Sequence, residues 1–213
     1  MKVKINKEGK TKTYKTINKW SDVTLEKWLK LVKYDSLSTS EETLNTISLL
    51  SDMPKKLIKS LSIKDIAVIL NKLSEIQKEA KNNLKKVITI DNVEYGFHPD
   101  LDEITLGEYA DIETIFKNGI EKSMPELMAI LYRPITNKKD ELYDIAAYDG
   151  NIRLRAEQMK KMSAEQVQSA LVFFWSFVNE LLVILPSCLT EQTKEILKVT
   201  PQKILQTSGG GSE

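Results

Sequence analysis

The chain has 213 residues, room for one compact domain or two small ones, each with a modest core. Apolar residues make up 41% and charged residues 29%, which excludes a disordered, solvating composition. The formal net charge is +1, from 31 basic and 30 acidic residues, so no global field draws the chain to nucleic acid or to a membrane surface.

The first stretch, "KVKINKEGKTKTYKTI", alternates around "KEGK" and predicts a β-hairpin. It has no apolar core, so it is not expected to act as a signal peptide. Lys2, Lys4, Lys7, Lys10, Lys12, Lys15 and Lys19 face Glu8 alone. Such a ribbon suits nucleic acid or an acidic protein, but lysines also protect an exposed strand edge from unwanted pairing. Only Tyr14 is interleaved, too little for a base-stacking platform, which favours edge protection or a protein partner. Lys4, Lys12 and Tyr14 are the candidate contact residues here.

"WSDVTLEKW" (Trp20–Trp28) reads as a helix start. Thr24 can cap the first turn, and Val23 and Trp28 have hydrophobic-staple spacing. Leu25, Trp28, Leu29 and Val32 then share one helical face. Further helices are expected over "EETLNTISLLSDMP" and after Ser62, with Asp65 as the return partner of the cap.

"VITIDNVEYGF" then predicts a second hairpin, with Asp91-Asn92 as a two-residue turn tolerant of positive φ. "DEITLGEYA" (Asp102–Ala110) repeats the earlier phrase: Thr105 caps, Glu108 completes a capping box, and Ile104 and Tyr109 make the staple. "PELMAILYRP" and "MSAEQVQSAL" follow as helices, the latter capped by Ser163.

Each half thus reads as a hairpin and three helices. The fold class is mainly α with small β-hairpins, with internal duplication of that unit as one account and chance recurrence of common caps as the other. The offsets are 81 from Thr24 to Thr105 (105 − 24), 83 from Leu44 to Leu127 (127 − 44) and 101 from Ser62 to Ser163 (163 − 62). The last requires an insertion of about eighteen residues, legible as a polar, turn-rich stretch over 133–158. The expected organisation is a unit over 1–84 and a second over 85–185, then a helix over 186–207 capped by Thr190 and a flexible tail over 208–213. The insertion gathers Tyr132, Arg133, Tyr143, Tyr148, Arg153 and Arg155, residue types enriched where proteins meet, and all of these except Tyr143 are candidate contact residues. The helix from Ala170 is apolar nearly all round (Phe173, Phe174, Phe177, Val178, Leu181 and Leu182, with Val172 and Trp175 opposite), so it either crosses the centre of the fold or is covered by another chain; the centre is preferred. It is short for a membrane span, which needs about 20 apolar residues.

Reactive chemistry has little to stand on. His98 is the single histidine, which removes multi-histidine zinc sites and most triads. "HPDLDE" offers His98, Asp100, Asp102 and Glu103 to a cation, but acids before Thr105 serve a turn and a helix dipole better. No glycine cluster follows a strand to cradle a phosphate. Cys188 is the only cysteine, so it has no intrachain disulfide partner and reads as a quiet thiol. Neither catalytic residues nor a cofactor, metal or small-molecule substrate is expected.

The lysine-rich hairpin, "WSDVTL" opening a helix, "ITLGEYADIETIF", "MAILYRPI" and "ALVFFWSFVNELL" together resemble small proteins from the structural gene blocks of tailed bacteriophages, in particular crAss-like phages of gut Bacteroidetes. They are also similar to tail-assembly chaperones and baseplate-hub assembly factors. The resemblance implies a non-enzymatic role without cofactor: a tail or neck (portal-proximal) ring component that binds other phage structural proteins and copies of itself. Such a protein would be assembled in the host cytoplasm and retained in the virion. The alternative is a transient chaperone absent from the particle; a nucleic-acid-binding protein ranks third.

Overall fold

The structure, a computed structural model, describes residues 2–7, 10–34, 36–78 and 83–184. The turn expected at Glu8-Gly9, Cys188, the expected helix over 186–207 and the expected tail lie outside the described residues, as do the side chains of Phe177, Val178, Leu181 and Leu182. Among the described residues there are eight α-helices and two antiparallel sheets, so the chain is mainly helical with small hairpins. No described helix is long and apolar enough to cross a membrane. The chain forms two compact units: one from the described residues between 2 and 78 with Ser163–Glu165, the other from 83–162 and 166–184.

In the first unit, β1 (Lys2–Lys7) pairs with β2 (Lys10–Lys15), Lys7 opposite Lys10. A 3-10 turn at Trp20–Asp22 leads into α1 (Leu25–Tyr34), followed by α2 (Thr39–Leu50), α3 (Lys55–Ile58) and α4 (Ile63–Lys78). Thr24 caps α1 as its chemistry requires: Lys27 N–H donates to Thr24 Oγ1 (3.3 Å) and Trp28 N–H to Thr24 O (2.9 Å). Asp65 N–H likewise donates to Ser62 Oγ (3.1 Å) at the start of α4. The core gathers Trp20, Val23, Leu25, Trp28, Ile47, Leu50, Met53, Ile58, Ile69 and Leu73, all buried. Ala164 N–H donates to Val23 O (2.7 Å), which ties Ser163–Glu165 to this unit.

In the second unit, β3 (Val87–Ile90) and β4 (Val93–Phe97) turn at Asp91 and Asn92, both at positive φ (50° and 64°), as a primed two-residue hairpin needs. A 3-10 turn at Leu101–Glu103 leads to α5 (Leu106–Asn118), and α6 (Met124–Leu131) follows. Thr105 and Glu108 form the expected capping box. The stretch read as a turn-rich insertion is ordered secondary structure. It forms β5 (Tyr132–Lys139), β6 (Leu142–Ile145) and α7 (Ile152–Met159), after which α8 (Ala164–Ile184) runs on. The new hairpin extends the sheet to the order β3-β4-β5-β6. Among the described residues α3 and α7 bring each unit to four helices, one more than expected.

Gly96 in β4 lets the side chains of β6 fold over the sheet. A Cβ there would lie 2.4 Å from Tyr143 Cε2 and 2.8 Å from Ile145 Cγ2, so β6 packs directly over the bare Cα. Tyr143 Oη donates to Phe97 O (2.8 Å) across the same gap. Phe97 meets Tyr132 and Phe173 edge-on, with centroids 5.2 and 5.5 Å apart. Phe174 of α8 is fully buried, whereas Phe173 is half-exposed.

The two units share a hydrogen-bond frame at a constant offset. Ile17 N–H donates to Leu50 O and His98 N–H to Leu131 O, both 81 residues on. The same shift relates Val23→Trp20 to Ile104→Leu101, Trp28→Thr24 to Tyr109→Thr105, and the Thr16–Ser51 bridge to the Phe97–Tyr132 pair. The offset of 83 expected at α2 is therefore not the one the backbone keeps. After α3 the shift is 101: Lys59→Lys55, Ser60→Leu57 and Leu61→Ile58 recur as Lys160→Ala156, Lys161→Gln158 and Met162→Met159.

Candidate functional site

The densest polar cluster lies in the second unit, where α5, the start of β5, the 146–151 loop and α7 converge. Glu108 is fully buried. Its Oε2 accepts from Thr105 N–H (2.8 Å) and from Thr105 Oγ1 (2.6 Å), so the capping box that starts α5 also holds this carboxylate. Arg133 Nη2 stands 2.9 Å from Glu108 Oε1, an ion pair with 6% of the Arg133 side chain exposed. His98 Nε2 lies 3.6 Å from the same oxygen.

Tyr148, Asp111, Arg155 and Asp149 pack around this pair. The Arg133 guanidinium sits 5.9 Å from the Tyr148 ring centroid, and Tyr148 Oη donates to Asp111. Arg155 donates from Nη1 to Asp149 Oδ1 (2.7 Å) and from Nε to Ala129 O (3.3 Å). Asn151 N–H also donates to Asp149 Oδ1 (2.9 Å), fixing the loop before α7.

Burial dominates the electrostatics. It pushes the His98 pKa down, opposed by the Glu108 charge and assisted by Arg133. It also lowers Arg133, against the Glu108 charge that raises it. Tyr148 is raised first by burial and then by its hydrogen bond to Asp111. Asp149 is held below the usual carboxylate range by the Asn151 N–H and then by Arg155. Arg133 Nε and Glu108 Oε1 have no aligned hydrogen-bond partner, so the 2.9 Å approach is electrostatic more than directional.

This arrangement clamps three segments together. Its carboxylate is already engaged and sealed from water, which leaves it poorly placed to accept a substrate proton. Asp100 accepts from Asp102 N–H (2.9 Å) and His98 turns to Glu108, so "HPDLDE" is spent on a turn. Among the described residues no group of three or more His, Cys, Asp or Glu side chains is close enough to ligate a metal.

The candidate contact residues divide sharply. Tyr132 is fully buried and donates from Oη to Lys85 O (2.9 Å), and Arg133 is spent on Glu108, so neither offers surface to a partner. Tyr148 and Arg155 are half-buried in the clamp, while Arg153 is exposed on α7. On the first hairpin Lys4 and Lys12 are exposed and Tyr14 is half-buried. Lys12 and Tyr14 share one face, opposite Ile5 and Val3; Lys4 pairs with Thr13 on the other face. The convergence of His98, Glu108 and Arg133 was not visible in the sequence, because it depends on the pairing of β4 with β5. The cap pattern at Thr105 and Glu108 was the only local signal.

No protein-family profile, curated protein or solved structure matches this chain.

Proposed function

We propose that this chain is a non-enzymatic structural or assembly protein of a tailed bacteriophage, a tail or neck ring component that binds other virion proteins and copies of itself. The observation that carries the reading is where the molecule spends its side chains. The groups best suited to chemistry are locked into an internal clamp, while Leu106, Leu142 and Leu154 of the second unit remain 83%, 78% and 73% exposed. Large apolar side chains kept on three separate elements favour burial against other chains. The resemblance of the quoted residue phrases to proteins of phage structural gene blocks supplies the setting.

The repeated hydrogen-bond frame supports a second part of the reading, that both units arose by duplication of one hairpin-plus-helices unit. A chance recurrence of caps has no reason to keep the strand-closing bonds at the same offset of 81 as the helix starts.

Mass spectrometry of purified particles from the source phage tests the function. A ring component is recovered at several copies per particle. Strong expression with absence from the particle would transfer the protein to the transient-chaperone class.

A further inference from the structure

We propose that the outer edge of β2 in one copy pairs with the outer edge of β6 in the next, a head-to-tail strand contact that joins copies into a ring. This deepens the ring reading and rests on it.

The shared frame identifies what the first unit lacks. In the second unit the outer edge of β4 is covered by β5, through Tyr95–Pro134, Gly96–Arg133 and Phe97–Tyr132. At the corresponding place in the first unit, cover ends almost at once. Thr16 bridges Ser51, Lys15 N–H donates to Asp52 Oδ1 (2.7 Å), and Asp52 N–H donates to Lys15 O (3.0 Å). The chain then enters α3. Because Lys15 sends its N–H and C=O outward, the two-residue period of a strand turns those of Thr13 and Thr11 outward as well. Among the described residues no strand pairs with that edge.

β6 is the complementary end. It is the last strand in the order β3-β4-β5-β6, and Leu142 beside its turn is 78% exposed. Asp140, Glu141 and Asp144 are exposed there. No basic residue occurs from Asp140 to Tyr148.

Charge selects between the ways two copies could meet. Residues 1–19 carry seven lysines against Glu8, a net +6, so residues 20–213 carry −5 (+1 − 6). β2 against β2, or β6 against β6, would set like charges opposite each other, which disfavours a two-fold contact. β2 against β6 sets lysines beside carboxylates. Because that contact uses different surfaces on the two copies, it propagates and closes when the rotation permits. The lysines that guard β2 against indiscriminate pairing become the selectivity element for an acidic edge.

Mass photometry and sedimentation velocity read the outcome. The wild-type chain is expected to form a discrete oligomer. Thr13→Pro removes an outward N–H without touching the β1–β2 ladder, and should release monomers with unchanged circular dichroism and melting temperature. Lys12→Glu and Asp144→Lys should each weaken assembly by about tenfold, and the double variant Lys12→Glu/Asp144→Lys should recover most of it. An oligomer indifferent to all of these variants overturns the strand contact and leaves the ring reading standing. A wild-type chain that stays monomeric at every concentration overturns both.

Discussion

Glu108 shows how a single side chain can be both a helix cap and a buried counter-ion. Truncating it strips Arg133 of its partner inside the unit, and an unpaired buried charge costs about 3–5 kcal/mol. Glu108→Ala should therefore lower the free energy of urea unfolding by an amount of that order. Arg133→Met strands the buried Glu108 carboxylate in the same way and should cost a similar amount, whereas Glu108→Gln/Arg133→Met, which removes both charges and keeps the bulk, should be milder than either. A double variant as costly as the single ones would mean that the ion pair itself, rather than the stranded charge, is the main contribution. His98 adds a pH signature. Its folded pKa lies below the unfolded value of about 6.5, so the folded chain binds fewer protons than the unfolded chain in the window below that value. The stability it contributes is fully present above pH ~6.5 and is lost as pH falls toward the folded pKa. It is the sole histidine, so His98→Gln should flatten the unfolding midpoint between pH ~5 and ~7, measured by urea titration at each pH. A wild-type midpoint that stays level across that window would remove His98 from the pH response.

At the level of elements, close packing decides which residues are tolerated. Gly96→Ala would drive a methyl group into Tyr143 and Ile145 at distances no relaxed core holds. It should cost about 1–3 kcal/mol, and Gly96→Ala/Tyr143→Ala should recover part of that, as read by thermal melts of the two variants. Thr105→Ala removes a cap and should cost about 1 kcal/mol. More than that would indicate that the clamp around Glu108 is disturbed as well. The caps at Thr24, Ser62 and Thr105 and the turn at Asp91-Asn92 were legible because each is encoded within a few neighbouring residues. β5 and β6 were not. In "YRPITNKKDELYDI" only the adjacent Tyr132 and Arg133 are buried, so no two-residue alternation marks the strand, and Lys138, Lys139, Asp140 and Glu141 give it the polarity of a loop. Missing that hairpin also hid the partner of Glu108. Tyr132 and Arg133 looked like surface residues for the same reason: their type was legible, and the sheet that buries them was not.

For the whole molecule, the main theme is uneven distribution of charge over a repeated backbone. An assembly held by lysines against carboxylates should weaken with salt. Raising ionic strength from about 0.05 M to about 0.5 M shortens the Debye length to roughly 4 Å and should shift the mass distribution toward monomer. An apolar interface would leave it unchanged or strengthen it. The repeated frame also hosts opposite chemistries. Ile17, Lys27 and Asp52 stand where the second unit has His98, Glu108 and Arg133, each 81 residues on. Hydrogen bonds of the main chain tolerate that exchange because they do not depend on side-chain identity.

The step in offset from 81 to 101 has a practical consequence. Twenty residues (101 − 81), falling between Pro134 and Ala156, are what one half possesses and the other lacks. Transplanting them between Met53 and Lys55 would equip the poorer half with a home-grown plug for its bare flank. On the proposed strand contact, a chain stoppered in that way should stay solitary, and the natural sequence would thereby carry the blueprint of its own inhibitor.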